Sequence, residues 1–150
     1  MKSQDKSILL VEDDSNDVFF FERALGKIGF PSDSLRVVND GEAAISYLSG
    51  TGQYSDRTAY PIPALIFLDL KMPRKTGMEV LAWLRAQPDL LPVPVVVLTS
   101  SKHSVEIEEA YRLRANSYLV KAVQLDELVE TLKTAISYWL KMNTTPRSVR

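Results

Sequence analysis

Four apolar runs in this 150-residue sequence end in side chains that can do chemistry. Asp69 closes the run Ala-Leu-Ile-Phe-Leu at 64–68, and Glu12, Asp13 and Asp14 close Ile-Leu-Leu-Val at 8–11. Thr99 and Ser100 close Val-Val-Val-Leu at 95–98, and Lys121 closes Ser-Tyr-Leu-Val at 117–120. Carboxylates, hydroxyls and an amine at the ends of buried strands are the parts needed to hold a divalent cation and a phosphoryl group. Two carboxylates about 4 Å apart repel by roughly 4 kcal/mol at an effective dielectric of ~20, and Glu12 and Asp14 add to that repulsion. Such a cluster must protonate, recruit a cation or borrow the Lys121 amine. Carboxylate and carbonyl oxygens suit Mg2+, and the backbone carbonyl of Lys71, just past Asp69, is a candidate further ligand. An aspartate beside such an ion can attack phosphorus and form an aspartyl phosphate. Thr99 and Lys121 would then bind the phosphoryl oxygens.

Positioning these groups needs short buried strands that alternate with helices. After the first run, Asp14 or Ser15 can cap a helix that uses Val18, Phe21, Leu25 and Ile28 and stops at Gly29. A short strand over 35–39 precedes a helix over 41–48 with Ala44, Tyr47 and Leu48 inward. Residues 49–63 read as an unusually long loop. The spacing then predicts a helix over 77–86 on Val80, Leu81 and Leu84, with Pro88, Pro92 and Pro94 breaking the chain before the next strand. A charged helix over 105–114 carries a thin stripe of Ile107, Ala110 and Tyr111. A last helix over 124–142 carries Leu125, Leu128, Val129, Leu132, Ile136 and Trp139. The expectation is one α/β domain over 1–142 with a flexible tail over 143–150. Its sheet is doubly wound and parallel, with five strands in the flavodoxin-like order 2-1-3-4-5 and five helices. That order makes strands one and three neighbours, with tips ~5 Å apart, and sets Asp13 beside Asp69.

Composition narrows the function classes. A net charge of −1 makes no case for nucleic acid. The absence of cysteine excludes disulfides and thiolate metal sites and fits the cytoplasm. No apolar stretch is long enough to span a bilayer. His103 is the single histidine, which makes the chain a poor kinase or imidazole-metal enzyme. Plainer roles stay open beside the sharp one: the acids at 12–14 as a helix cap, Thr99 and Ser100 as another, and Tyr118 as a packing residue.

Taken together and in order, Glu12-Asp13, Asp69 within Leu-Asp-Leu-Lys-Met-Pro at 68–73, Gly77, Thr99 within Leu-Thr-Ser-Ser at 98–101, and Lys121 resemble the receiver domain of two-component response regulators. The resemblance spans about 7–142. It implies that Asp69 accepts a phosphoryl group from a histidine kinase, that Glu12 and Asp13 position Mg2+, and that Thr99 and Lys121 sense the phosphate. Tyr118 then falls at the rotating switch aromatic, and Ser100 at the small residue behind the threonine. It also implies at most a weak autophosphatase rather than an enzyme. The long loop, Ala-Asn-Ser-Tyr at 115–118 and Tyr-Trp-Leu at 138–140 resemble the single-domain regulators that partner bacterial phytochrome histidine kinases. Haloacid-dehalogenase-type phosphatases share an aspartate and Mg2+ but want a second aspartate where this chain has Lys71. A nucleotide-binding domain would show a glycine-rich loop where this chain has acids.

Two positions depart from the receiver pattern. Ala122 follows Lys121 where the family has proline, so the Lys121–Ala122 bond is expected trans, a non-proline cis bond costing ~2.5–4 kcal/mol. Arg114 replaces a glycine. The first departure keeps a rival open, a receiver-like interaction module that signals without phosphate. With no sequence left over for an output domain, output is expected through a protein contact or phosphate relay on the face of the fourth helix, fifth strand and fifth helix. Tyr138, Trp139, Leu140 and Met142 add apolar surface near the C-terminus and suggest a homodimer through that helix. The competing expectation folds Trp139 back on the first helix near Phe20 or Phe21.

Overall fold

The computed structural model describes residues 6–146. The elements run β1 Ile8–Val11, α1 Ser15–Lys27, β2 Leu35–Val38, α2 Gly41–Ser49, β3 Leu65–Leu68, α3 Gly77–Arg85, β4 Val95–Thr99, α4 Ser104–Arg112, β5 Ser117–Val120 and α5 Leu125–Ile136. All pairings are parallel, in the order β2-β1-β3-β4-β5 expected from the sequence. Strands β1, β3 and β4 are buried throughout, while β2 and β5 form the half-exposed edges. This is why the three central runs are continuously apolar rather than alternating.

Successive side chains of a strand point to opposite faces, so the sheet divides two cores. Leu9, Val11, Ile66, Leu68, Val95 and Val97 meet Ala44, Tyr47, Leu81, Leu84 and Ala110 of α2, α3 and α4. Ile8, Leu10, Leu65, Phe67, Val96 and Leu98 meet Phe21, Ala24, Leu25, Leu128, Leu132 and Ile136 of α1 and α5. On that second face Phe21 meets Phe67 edge-on with ring centroids 5.2 Å apart. Of the Phe19–Phe21 triplet, Phe21 is core and Phe19 is exposed.

The long loop 49–63 is ordered by two devices. The Arg57 guanidinium donates to the carbonyls of Tyr47 and Leu48, helix-end groups with no partner within α2, and to Tyr60 O in the loop itself. Tyr54 and Tyr60 pack on the buried Tyr47 ring, with centroids 5.1 and 5.9 Å from it, and the Tyr47 hydroxyl donates to Pro61 O.

Two details differ from expectation. Tyr111 does not join the stripe of α4: it is exposed, and Ala110 alone on that helix is buried. A small residue lets a helix approach the sheet closely, and its neighbour, turned ~100° around the axis, faces solvent. The last helix is not uniform either. Its α-helical part ends at Ile136, and Ser137–Met142 continues as a π-helix. The wider turn changes the angular spacing of the residues beyond Ile136. Trp139 and Leu140 both pack against the α1–α5 core, while Tyr138 and Met142 are exposed. The buried Arg85 finds no acidic partner among the described residues. It donates to the carbonyls of Leu91, Val93 and Arg114 and to Asn116 Oδ1, tying α3 to the loops that precede β4 and β5. Arg114 takes φ 69°, the left-handed region that favours glycine. Of the tail expected over 143–150, Asn143 donates its amide to Tyr138 O, and residues 147–150 lie outside the described residues.

Candidate functional site

Parallel register makes the site. Val11 pairs with Leu68, so the next residues of β1 and β3, Glu12 and Asp69, leave the sheet side by side. The backbone ladder runs on past the strands, with Glu12 N donating to Val38 O, Asp69 N to Val11 O and Lys121 N to Thr99 O. The twofold alternation runs on with it. Glu12 follows the parity of Ile8 and Leu10, Asp69 that of Leu65 and Phe67, and Lys121 that of Leu119, all on the face covered by α1 and α5. Thr99 follows Val95 and Val97, and Tyr118 packs on the same α2–α4 face.

Glu12 and Asp69 are buried, at 3% and 6% exposure, and Asp13 is exposed. The three offer carboxylate oxygens that all lie within 4.8 Å of one another. The Lys121 ammonium sits on the cluster, 2.7 Å from Glu12 Oε1 and 3.3 Å from Asp69 Oδ2. It has a third partner, Asp17 Oδ2 at 2.7 Å, which the sequence analysis missed. The signal available there was faint: Asp17 lies three residues beyond the helix cap Asp14, in a first turn that points at the strand tips.

The acids at 12–14 hold the chain as well as the charge. Glu12 Oε2 accepts the Asp14 amide at 3.1 Å, and Asp14 Oδ1 caps α1 by accepting the amides of Asn16 and Asp17. The capping role is therefore real for Asp14 and leaves Asp13 and Asp69 free for other work. Burial pushes the Glu12 carboxyl up to about 7, against the opposing pull of Lys121 and the Asp14 amide. Burial alone would lower the Lys121 pKa, but hydrogen bonds to Asp17 and Glu12, then the charges of Asp69 and Glu12, outweigh it and hold the ammonium above its ordinary value.

At the tip of β4, the Thr99 hydroxyl is buried and finds no hydrogen-bond partner among the described residues. A buried hydroxyl so placed costs about 1–3 kcal/mol unless a ligand supplies an oxygen. The chain beyond it is held firmly. Tyr118 OH donates to Ser101 O at 3.0 Å, and the Ser101 hydroxyl bonds the Glu106 carboxylate in the first turn of α4. Ser100 is exposed, as is His103, whose amide donates to Ser101 Oγ.

Gly77 closes the remaining side. A Cβ there would lie 2.1 Å from Asp69 O, and the Gly77 amide donates to Leu70 O at 2.9 Å. Only a residue without a side chain lets α3 press against the exit of β3. Thr76 and Glu79 complete a reciprocal capping box at that helix start. Lys71, whose carbonyl the sequence nominates as a ligand, lies in the segment between Asp69 and Gly77 with its side chain exposed. The Lys121–Ala122 bond is trans, since no cis peptide occurs among the described residues. Glu12, Asp13 and Asp69 together form an all-oxygen donor set that suits a hard divalent cation.

The family described as the response regulator receiver domain matches residues 8–133. The response regulator Rcp1 of a Synechocystis species is 39% identical over 141 residues, covering 94% of this chain and 93% of that protein. The crystal structure of the phosphorylated cyanobacterial phytochrome response regulator RcpA is 37% identical, covers 94% of this chain and 98% of its own, and superposes with a TM-score of 0.85. The Mn(2+)-bound form of Rcp1 covers 94% of this chain and 99% of its own at 39% identity, with a TM-score of 0.82. No helix among the described residues is long and apolar enough to cross a membrane.

Proposed function

This chain belongs to the response regulator receiver domain family, and from that premise we propose that Asp69 is its phosphoacceptor and that a histidine kinase is the donor. The observation that carries this reading is the convergence at the strand tips: Asp69, Glu12 and Asp13 within 4.8 Å, with the Lys121 ammonium among them. An Asp69 carboxylate oxygen attacks phosphorus, the P–N bond of the kinase phosphohistidine breaks, and its electron pair leaves on the imidazole. Glu12, Asp13, Asp69 and the Lys71 carbonyl would hold Mg2+, which when bound would supply charge neutralisation at the transferring oxygens. That Rcp1, a relative, has a Mn(2+)-bound form supports the binding of a divalent ion.

The chain's own residues then read the product. Phosphorylation adds roughly −1.5 to −2 charge. The Thr99 hydroxyl gains the partner it lacks, and Lys121 pairs with a phosphoryl oxygen. Because Tyr118 is tied to the carbonyl of Ser101, two residues past Thr99, movement of Thr99 is felt by Tyr118 and by the start of α4. Slow attack of water at the same phosphorus would give weak autophosphatase activity. The resemblance to RcpA and Rcp1 favours a phytochrome kinase as donor, in the cytoplasm. The exposed Tyr138 and Met142 near the C-terminus favour a homodimer through that end of the last helix.

Incubation with Mg2+ and a small phosphodonor, followed by intact mass, tests the reading. Wild type gains one acid-stable, base-labile phosphoryl group that requires Mg2+, and Asp69→Asn gains none. Equal labelling of both would refute the assignment. No labelling of wild type would favour the rival, a module that signals without phosphate.

A further inference from the structure

The first turn of α1 holds a carboxylate that the proposed phosphoryl chemistry does not use. In α3 the third helical residue, Glu79, reaches back to the amide of its N-cap, Thr76. In α1 the equivalent residue is Asp17, but the N-cap amide, Asp14 N, is already held by Glu12 Oε2. Asp17 is thereby released from capping, and its carboxylate takes the Lys121 ammonium at 2.7 Å. The other two partners of that ammonium, Glu12 and Asp69, both belong to the donor set for a cation, and Asp17 does not.

A divalent cation drawn to Glu12 and Asp69 repels the ammonium that now sits 2.7 and 3.3 Å from their oxygens, so Lys121 loosens its hold on both when the cation arrives. A half-buried ammonium left with no counter-charge would oppose binding. We propose that Asp17 is a positioning residue for Lys121, the seat to which the ammonium withdraws while Glu12 and Asp69 hold a divalent cation. The Asp17 side chain is 41% exposed, so it takes the ammonium without itself being stranded from water. Lys121 thus stays within reach of Asp69 and positively charged, ready for the phosphoryl oxygens. This rests on the reading of Glu12, Asp13 and Asp69 as the cation site.

Mn2+ binding to the unphosphorylated protein, followed by the electron paramagnetic resonance signal of free Mn2+, tests it without any phosphoryl transfer. Asp17→Asn should weaken binding about tenfold in the presence of Lys121 and by no more than about twofold in a Lys121→Ala background, where only the distant field of Asp17 remains. Asp17→Glu should restore binding to within about twofold, since the longer chain still reaches the ammonium from a half-exposed turn. Equal weakening in both backgrounds would reduce Asp17 to one more surface charge and overturn the proposal. So would an Asp17→Asn protein that binds as wild type does, or an Asp17→Glu protein no better than Asp17→Asn. If wild type binds no Mn2+, the cation reading of the site fails and this proposal with it. If wild type binds and Asp17→Asn is indifferent, this proposal fails alone.

Discussion

Glu12 is 3% exposed at the tip of β1, and burial pushes its carboxyl up to about 7 against the pull of Lys121 and the Asp14 amide. Its unfolded carboxyl titrates at its ordinary value of 4.5. Between those values the folded protein holds a proton that the unfolded chain has lost, so raising the pH through this window removes stability. The ion-free protein should lose about 2 kcal/mol between about pH 5 and pH 7.5 from this group. Urea unfolding with a chelator present measures the slope, and Glu12→Gln should flatten it. An unchanged slope in that variant would place the titration elsewhere. Added Mg2+ should reverse the trend, since a carboxylate must be ionised to serve as a ligand. The same burial that makes Glu12 costly when charged makes it a strong ligand once a cation is present.

At the scale of elements, the site depends on how closely α3 meets the end of β3. Gly77→Ala puts a Cβ 2.1 Å from Asp69 O and 2.6 Å from Leu70 Cα, so helix or strand exit must move. The expected cost is about 1–3 kcal/mol of stability, read by thermal melting, together with slower phosphorylation of Asp69. Unchanged melting and unchanged rate would mean that the contact relaxes freely. This dependence was half legible in the sequence: Gly77 stood out, but its contact was not. The strands, their order and the Asp14 cap were readable because continuous apolar runs and local capping chemistry are encoded in neighbouring residues. Asp17 was not, because its role depends on where α1 docks against the tip of β5, 104 residues away. Arg85 was missed for the same reason. Two of its four acceptors, Arg114 O and Asn116 Oδ1, lie 29 and 31 residues further on, and three of the four are backbone carbonyls, which leave no trace in residue identity. The π-helix at Ser137–Met142 escaped because its hydrophobic pattern is as compatible with a plain α-helix.

For the whole molecule, the packing of Trp139 and Leu140 onto the α1–α5 core changes what a dimer test must contain. Replacing either would damage the fold, so the informative variant carries Tyr138→Ser and Met142→Ser, the two exposed members of the group. Sedimentation at micromolar concentration should give a dimer for wild type and a monomer for that variant. A monomeric wild type, or a dimer that survives both changes, would exclude this end of the helix as the interface. The division of the interior has a different reach. Leu81 and Leu132 belong to separate cores on opposite sides of the sheet. Truncating both to alanine should cost the sum of the single losses to within about 0.5 kcal/mol. The strand tips are where the two sides meet: Glu12, Asp69, Lys121 and Asp17 toward α1 and α5, Thr99 and Tyr118 toward α4. Inheritance can therefore treat the halves as nearly separate ledgers of substitution. A lineage can reshape the side that a donor touches, then the side that a listener touches, and need keep faith with only the few residues along one edge.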